Sequence, residues 1–275
     1  MKELGKFNSL LIRRFTANGA YLLLEDGTEV LLPKSYLSGT EKEGEEINAF
    51  IYTDSEDRPV AVTTVPKAQL DEFAVLEVRE VTKFGAFLDW GLPKDLFVPN
   101  SEMAKSMEKG QKYLIRVCRD FKTDRLIGVS KYQDFLIRDT QGFEPGQEVK
   151  ALVFEETDLG FKVLIENSFE GLLYKNEVFQ TLEPGDLVIA YIKKRREDGK
   201  LDLQLLPNGR EKYEAGAEKI LELLKIKKFL PLHDKSSPES IKELLGMSKK
   251  HFKQSIGQLY KARKIYIKEN GIELA

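Results

Sequence analysis

Three stretches of this chain share one outline, and this repetition limits the possible folds more than any other feature of the sequence. Each stretch opens on a glycine, continues through two short apolar runs separated by a turn, and ends fourteen residues after that glycine. Because equal internal spacing in three copies is the signature of a repeat, the first three quarters of the chain are predicted to be one small domain in three versions. The end points of the three copies are Gly19 and Pro33, Gly85 and Pro99, and Gly160 and Tyr174.

Short strands separated by turns fill the three copies. Alternating apolar residues predict about five strands in each copy, with tight turns such as Asp26-Gly27 between them. In the second copy a longer connection, Asn100 to Gly110, lies between strands three and four, which is typical of the five-stranded Greek-key barrel of the oligonucleotide-binding (OB) fold. The predicted barrels cover residues 1–66, 67–140 and 141–209, and Pro207-Asn208-Gly209 ends the series.

From residue 210 onward the apolar period changes from two to 3.6, which is typical of helices. Ser237-Pro238 and Gly246 are start and stop signals of a second helix, and Ser248 is the predicted cap of a third. The predicted buried faces are Tyr213, Ala217, Ile220, Leu221 and Leu224 in the first helix, and Phe252, Ile256, Leu259 and Tyr260 in the third. Asn270-Gly271 between two apolar runs is a strong hairpin signal. This order predicts an α/β winged helix-turn-helix domain over residues 210–275 behind a mainly β region of three tandem barrels.

The composition is that of a soluble globular chain, with 41% hydrophobic and 32% charged residues and no apolar run long enough to cross a bilayer. Residues 1–15 lack the apolar core of a signal peptide, so we expect a cytoplasmic protein with no membrane partner. The net charge of −2 is unevenly distributed: residues 211–275 carry 14 basic and 9 acidic groups, whereas residues 1–67 and 141–210 carry net charges of −3 and −4. Only the tail has the positive charge usual for proteins that bind a phosphate backbone.

The second copy carries the clearest candidates for contact with nucleic acid. On an OB barrel, bases stack on aromatic side chains of strands two and three, while basic side chains hold the backbone. Phe84 and Phe87 flank Gly85 on that surface, and Arg125 lies in the last hairpin. Strand alternation leaves open whether one of the two phenylalanines belongs to the core, and whether the arginine is only a solvated charge.

The other two copies have weaker versions of this pattern. In the first copy Tyr21 takes the place of Phe87, and Arg58 follows Asp54 by four residues. In the third copy Tyr174 takes the place of Pro99, and the fourth strand ends on four consecutive basic residues, Lys193 to Arg196.

The third helix of the tail offers a separate candidate surface for the nucleic-acid backbone. The stretch from Met247 to Lys268 contains seven Lys or Arg residues and no acidic residue. Lysines suit phosphates better than bases, so backbone contact is favoured over base reading. A solvated lysine face is the alternative. The candidate residues are Lys250, Lys253, Gln254, Lys261 and Arg263.

Catalysis has little support in the sequence. The only histidines, His233 and His251, have no partner at ligand spacing, and no nucleophile elbow, phosphate-binding loop or metal motif is present. We therefore predict a protein that is not an enzyme and that uses no metal or cofactor.

The glycine between aromatics, the Gly91-Leu92 turn and Asn100-Ser101-Glu102 after strand three resemble the S1-type RNA-binding domain. That family's pattern of two aromatics, a histidine, an aspartate and an arginine implies roles for the matching positions of each copy. These are Phe84, Phe87, Asp120 and Arg125 in the second copy, with Pro99 at the histidine position; Tyr21, Asp54 and Arg58 in the first; and Tyr174, at the histidine position, in the third. Both aromatics and the aspartate are missing from the third copy.

Three such repeats followed by a winged helix are similar to the bacterial conserved virulence factor B family, over essentially the whole chain. The resemblance implies a cytoplasmic RNA-binding regulator that affects virulence-factor or metabolic gene expression. We therefore predict single-stranded RNA binding without catalysis. Two alternatives stay open: a DNA-binding transcription regulator that reads duplex through the third helix, and an interaction scaffold that binds the ribosome, a nuclease or another RNA-processing protein.

Overall fold

The computed structural model describes residues 2–206 and 210–275, and the side chains of all of these except 210–215. The chain divides into two compact units, residues 1–136 and 137–275. The first unit contains two β-barrels, and the second contains a third barrel and a helical domain. The fold is therefore mainly β over three quarters of the chain, as the repeat predicts.

The first barrel is a closed five-stranded sheet with the order β1-β2-β3-β5-β4. Its strands are β1 (Phe7–Thr16), β2 (Gly19–Leu23), β3 (Glu29–Pro33), β4 (Glu46–Thr53) and β5 (Pro59–Val62). Alternate residues such as Ala20, Leu22, Val30 and Leu32 point inward and form its core, because side chains alternate between the faces of a strand.

The second barrel has the same arrangement, although β10 and β8 form no ladder between them. Its order is β10-β9-β6-β7-β8, and its strands are β6 (Phe73–Val81), β7 (Gly85–Asp89), β8 (Leu96–Pro99), β9 (Lys112–Arg119) and β10 (Leu126–Val129). A Cβ added to Gly128 of β10 would meet the side chains of Val98 and Leu96. The two edge strands therefore lie close enough for their residues to pack together across the gap.

The third barrel closes in the order β11-β12-β13-β15-β14. Its strands are β11 (Glu148–Glu156), β12 (Gly160–Ile165), β13 (Phe169–Tyr174), β14 (Leu187–Arg195) and β15 (Leu201–Gln204). The three barrels also share a register shift in the first strand, between Ile12 and Arg14, Val78 and Glu80, and Val153 and Glu155. A β-bulge at the same place in each copy bends the strand and helps the sheet to close.

The fourteen-residue spacing of the repeat has a direct structural cause. The two ends of each spacing are cross-strand partners on neighbouring strands: Gly19 with Pro33, Gly85 with Pro99 and Gly160 with Tyr174. A Cβ at any of the three glycines would overlap a carbonyl oxygen of the facing strand. The position therefore requires glycine, because only a residue without a side chain permits so close an approach.

The two barrels of the first unit share an apolar interface, which we call the barrel seam. The Trp90 indole meets the rings of Phe50 and Tyr52 of the first barrel edge-on, with centroid distances of 5.9 and 6.3 Å. The Trp90 side chain is 2% exposed, and its Nε1–H donates to the Lys94 carbonyl oxygen at 2.6 Å. One continuous cluster of buried residues joins both barrels at this point.

The described part of the tail is a winged helix. Helices α1 (Arg210–Lys227), α2 (Pro238–Leu245) and α3 (Lys249–Lys261) pack with a sheet of the order β16-β18-β17, whose strands are β16 (Phe229–Leu230), β17 (Ile265–Lys268) and β18 (Gly271–Leu274). Ser237 accepts from the Ser240 N–H and Ser248 accepts from the His251 N–H, and Gly246 is left-handed. The predicted caps and stop signal are confirmed. Among the described residues, no helix is both long and apolar enough to cross a membrane.

Several details of the tail differ from the sequence-based expectation. Tyr260 is 56% exposed rather than buried, because it follows Lys253 by seven residues and so lies on the same outer face of α3. The hairpin turns at Glu269-Asn270 and not at Asn270-Gly271, since Gly271 already pairs with Lys268. Glycine is needed there because a Cβ would overlap the Leu230 carbonyl oxygen and the Phe229 ring on β16, a strand the sequence did not predict. The Tyr213 side chain and the predicted barrel end Pro207–Gly209 lie outside the described residues.

Candidate nucleic-acid interface

Three phenylalanines of the second barrel lie outside its core, and we call them the aromatic surface: Phe84, Phe87 and Phe97. Phe87 on β7 and Phe97 on β8 are cross-strand partners, and their ring centroids lie 5.0 Å apart at an interplanar angle of 41°. Both rings are half-buried, whereas their strand neighbours are inside the barrel. Neither Phe84 nor Phe87 therefore belongs to the core, which answers the question that strand alternation left open.

Gly85 has no side chain, and this leaves space for the Phe97 ring. The Phe97 ring covers Gly85 and comes within 2.7 Å of the place where a Cβ would be. Phe84, in the turn before β7, is 69% exposed, and the Lys83 ammonium lies 4.8 Å from its ring centroid. A cation beside an open ring suits a ligand that carries both a π-face and a negative charge.

Asp120 and Arg125 frame the β9–β10 hairpin, where the Asp120 N–H donates to the Arg125 carbonyl oxygen at 2.9 Å. The Thr123 hydroxyl and the Lys122 N–H donate to the Asp120 carboxylate and hold its pKa below the ordinary value. The Arg125 guanidinium turns away from this hairpin and pairs with Asp57 of the first barrel. Asp120 therefore orders the turn, while Arg125 points toward the neighbouring barrel.

In the first barrel, Asp54 and Arg58 form the equivalent frame but pair with each other. The Arg58 guanidinium donates to Asp54 Oδ2 at 2.8 and 2.9 Å and also meets Glu56 at 2.8 Å. Although desolvation acts to raise it, the pKa of the Asp54 carboxyl is held below its ordinary value by hydrogen bonds from Arg58 and from the turn backbone. The Asp54 and Arg58 side chains are thus already paired within the first barrel.

Tyr21 occupies the position of Phe87 in the first barrel, but its ring is covered. The Arg14 guanidinium lies 3.9 Å from the ring centroid and is held there by an ion pair of 2.6 Å with Glu29. The facing residue on β3 is Leu31, so the aromatic pair of the second barrel has no counterpart here. One face of Tyr21 is therefore closed to an incoming base.

The third barrel replaces the aromatic pair with an ion pair. Lys162 stands at the position of Phe87 and meets Glu155 at 2.7 Å. The Tyr174 hydroxyl donates to the buried Asp202 carboxylate at 3.2 Å, and Lys193 lies 5.6 Å from the Tyr174 ring centroid. Desolvation and the Asp202 charge raise the pKa of Tyr174, so its hydroxyl stays protonated.

The outer face of α3 is basic and open. Lys250, Lys253, Gln254 and Lys261 are exposed on it, and Arg263 follows the helix in a left-handed conformation. Within the described residues, none of the four cationic side chains, Lys250, Lys253, Lys261 and Arg263, forms an ion pair. A Cβ added to Gly257, in the middle of this face, would meet nothing within 4 Å. The face therefore has both the charge and the clearance to approach a phosphate backbone.

Phe97 and Asp57 are the residues that the sequence reasoning missed. Strand alternation carried a signal for Phe97, because inward-pointing Leu96 and Val98 require it to point outward. No sequence pattern indicated Asp57, whose importance comes from a contact with a residue 68 positions away. In the part of the chain that the structure describes, no group of three or more His, Cys, Asp and Glu residues is arranged to hold a metal ion.

Two family models agree with this architecture in the parts of the chain that they match. Residues 218–274 match the family described as CvfB-like winged helix domain, and residues 4–64 match the S1 domain family. The protein YitL of Bacillus subtilis is 28% identical over 260 residues, which are 91% of this chain and 87% of YitL. Conserved virulence factor B of Staphylococcus epidermidis is 27% identical over 239 residues, which are 84% of this chain and 80% of that protein. A crystal structure of a multidomain protein with nucleic acid binding domains from Streptococcus pneumoniae is 31% identical, covers 100% of this chain and 99% of that one, and has a TM-score of 0.47.

Proposed function

The chain belongs to the conserved virulence factor B family, and from this premise we propose that it binds single-stranded RNA without catalysis and regulates gene expression after transcription. The second barrel reads the bases, and the winged helix adds contacts to the backbone. Its place of action is the cytoplasm.

The observation that carries this proposal is the aromatic surface of the second barrel. Phe84 is 69% exposed, and the half-buried rings of Phe87 and Phe97 pair on the outer face of the second barrel. Stacking on such rings suits single strands, because unpaired bases expose their π-faces, and each stacked base contributes about 1–3 kcal/mol. A duplex hides those faces, so the surface favours single-stranded nucleic acid.

The other two barrels contribute less to base reading in this proposal. Tyr21 has one face covered by Arg14, and Lys162 with Glu155 replaces the aromatic pair of the third barrel. The first and third barrels also carry a net negative charge. This is a second reason to expect weaker RNA binding by them, because neutralisation of phosphates dominates nucleic-acid affinity. Asp54, Arg58 and Tyr174 hold their own turns and strands through bonds inside each barrel.

Replacing Lys250, Lys253 and Lys261 together by alanine should weaken RNA binding and reduce its dependence on salt. Each phosphate contact on a single strand contributes about 0.7 to the slope of log affinity against log salt, so the loss of three contacts should flatten the slope by about 2. Fluorescence anisotropy of a labelled oligonucleotide at several salt concentrations measures this slope. The matched control is Lys225/Lys227/Lys235→Ala, which removes three exposed lysines outside α3. An equal change in both triple variants would mean that net charge, and not the α3 face, is responsible.

The proposed function as a whole is tested by comparing labelled single-stranded RNA, single-stranded DNA and duplex DNA as ligands. We expect RNA to bind most tightly. A preference for duplex that disappears only in the α3 triple variant would support the rival in which the winged helix reads DNA. No affinity for any of the three ligands at low salt would support the protein-interaction scaffold instead.

A further inference from the structure

One carboxylate of the first barrel lies between two cations of the second. Asp57 forms an ion pair with Arg125, and its Oδ1 lies 3.6 Å from Lys94 Nζ. The same ammonium donates to the Asp54 carbonyl oxygen at 2.7 Å. All three charged side chains keep contact with solvent, with exposures of 53% for Arg125, 41% for Asp57 and 33% for Lys94.

The surrounding structure positions the backbone that carries this carboxylate. Asp57 has a φ of +62°, and its N–H donates to the Asp54 carbonyl oxygen at 3.0 Å within the β4–β5 turn. On the other side, the Lys94 carbonyl oxygen accepts from the buried Trp90 indole of the barrel seam. The packing of the two barrels therefore brings the anion and the two cations together.

The equivalent residue of the second barrel behaves differently. Asp124 also precedes the arginine of its hairpin and has a φ of +60°, but it pairs with Arg119 of its own barrel. Arg58 of the first barrel likewise pairs within its own turn. Arg125, unlike Arg58, therefore pairs with a carboxylate of another barrel.

We propose that Lys94 and Arg125 form a binding site for an RNA phosphate, and that Asp57 occupies this site as an internal competitor. The inference rests on the proposed function, because the phosphate belongs to the strand that stacks on the aromatic surface. A guanidinium and an ammonium that hold a carboxylate also match the two non-bridging oxygens of an RNA phosphate, which carry the same single negative charge. The site is open to solvent, so the phosphate displaces Asp57 without unfolding either barrel.

Asp57→Asn should therefore bind single-stranded RNA more tightly than the wild-type chain. An exposed ion pair of this kind accounts for about a 2- to 5-fold change in affinity. The slope against salt should change by less than about 0.7, the value of one phosphate contact on a single strand, because the same contact forms in both proteins. Asp124→Asn is the matched control, because it removes the same charge from the equivalent left-handed position; it should leave affinity nearly unchanged.

Two further measurements separate this inference from the proposed function. In a Lys94→Ala/Arg125→Ala background, the gain from Asp57→Asn should vanish. Inorganic pyrophosphate, which carries no base, should bind the Asp57→Asn variant more tightly than the wild type in calorimetric titration. Weaker RNA binding by Asp57→Asn, an equal gain in Asp124→Asn, or unchanged pyrophosphate affinity would each overturn the inference. Loss of RNA binding in Phe87→Ala tests the aromatic surface separately.

Discussion

Phe87→Ala should weaken the binding of single-stranded RNA by about 1–3 kcal/mol, the contribution of one stacked base. The substitution removes the ring that pairs with Phe97, whose centroid lies 5.0 Å away. Fluorescence anisotropy with a labelled oligonucleotide measures the affinity. A thermal unfolding curve, run in parallel, verifies that the half-buried site still folds.

Three variants serve as controls for this effect. Phe87→Tyr keeps the π-face and should retain affinity, whereas Phe87→Leu keeps apolar bulk and should not. Tyr21→Ala removes the equivalent ring of the first barrel, which Arg14 already covers. It should weaken RNA binding less than Phe87→Ala does. Equal losses in Tyr21→Ala and Phe87→Ala would show that both barrels read bases alike. Full affinity in Phe87→Leu would show that stacking is not the basis of binding.

Trp90→Ala should lower the free energy of unfolding of the first unit by about 3–5 kcal/mol, the usual cost of truncating a buried aromatic residue to alanine. The indole is 2% exposed and packs edge-on against Phe50 and Tyr52, so its removal leaves a cavity across the barrel seam. Urea denaturation followed by circular dichroism measures the change.

Trp90→Phe is the control for this prediction, because it keeps most of the apolar contact while it loses the hydrogen bond to the Lys94 carbonyl oxygen. Trp90→Phe should lower the free energy of unfolding clearly less than Trp90→Ala does. A loss below 1 kcal/mol in Trp90→Ala would contradict the prediction, and would mean that the two barrels are stable without the seam.

The strands were largely predictable, because the repeat depends on the spacing of residues that are close together in the sequence. Each barrel has the five strands that the alternation of apolar residues predicts, and the second strand of each begins at the repeat glycine: Gly19, Gly85 and Gly160. Glycine, proline and tight-turn residues impose these limits through the backbone itself, and the copies reinforce one another. The caps Ser237 and Ser248 were predictable for the same reason, since capping depends on neighbours in sequence.

The remaining features depend on contacts between residues far apart in sequence. Nothing near Arg125 indicates that its partner is Asp57, and nothing near Tyr21 indicates that Arg14 covers its ring. Strand β16 is two residues long, too short to produce a periodic pattern, and exists because β18 offers it a partner. Tertiary packing determines side-chain partners of this kind. Local sequence patterns can therefore indicate which residues belong to a site, but not which of them pair with one another.

The barrel seam also gives the molecule a built-in optical reporter. Trp90 is the only tryptophan in the sequence, so selectively excited indole emission comes from this one point and carries no signal from residues 137–275. Its hydrogen-bond acceptor belongs to Lys94, whose ammonium lies beside Asp57. A spectral shift on adding a ligand therefore reports a change where the first two barrels meet, without any attached label.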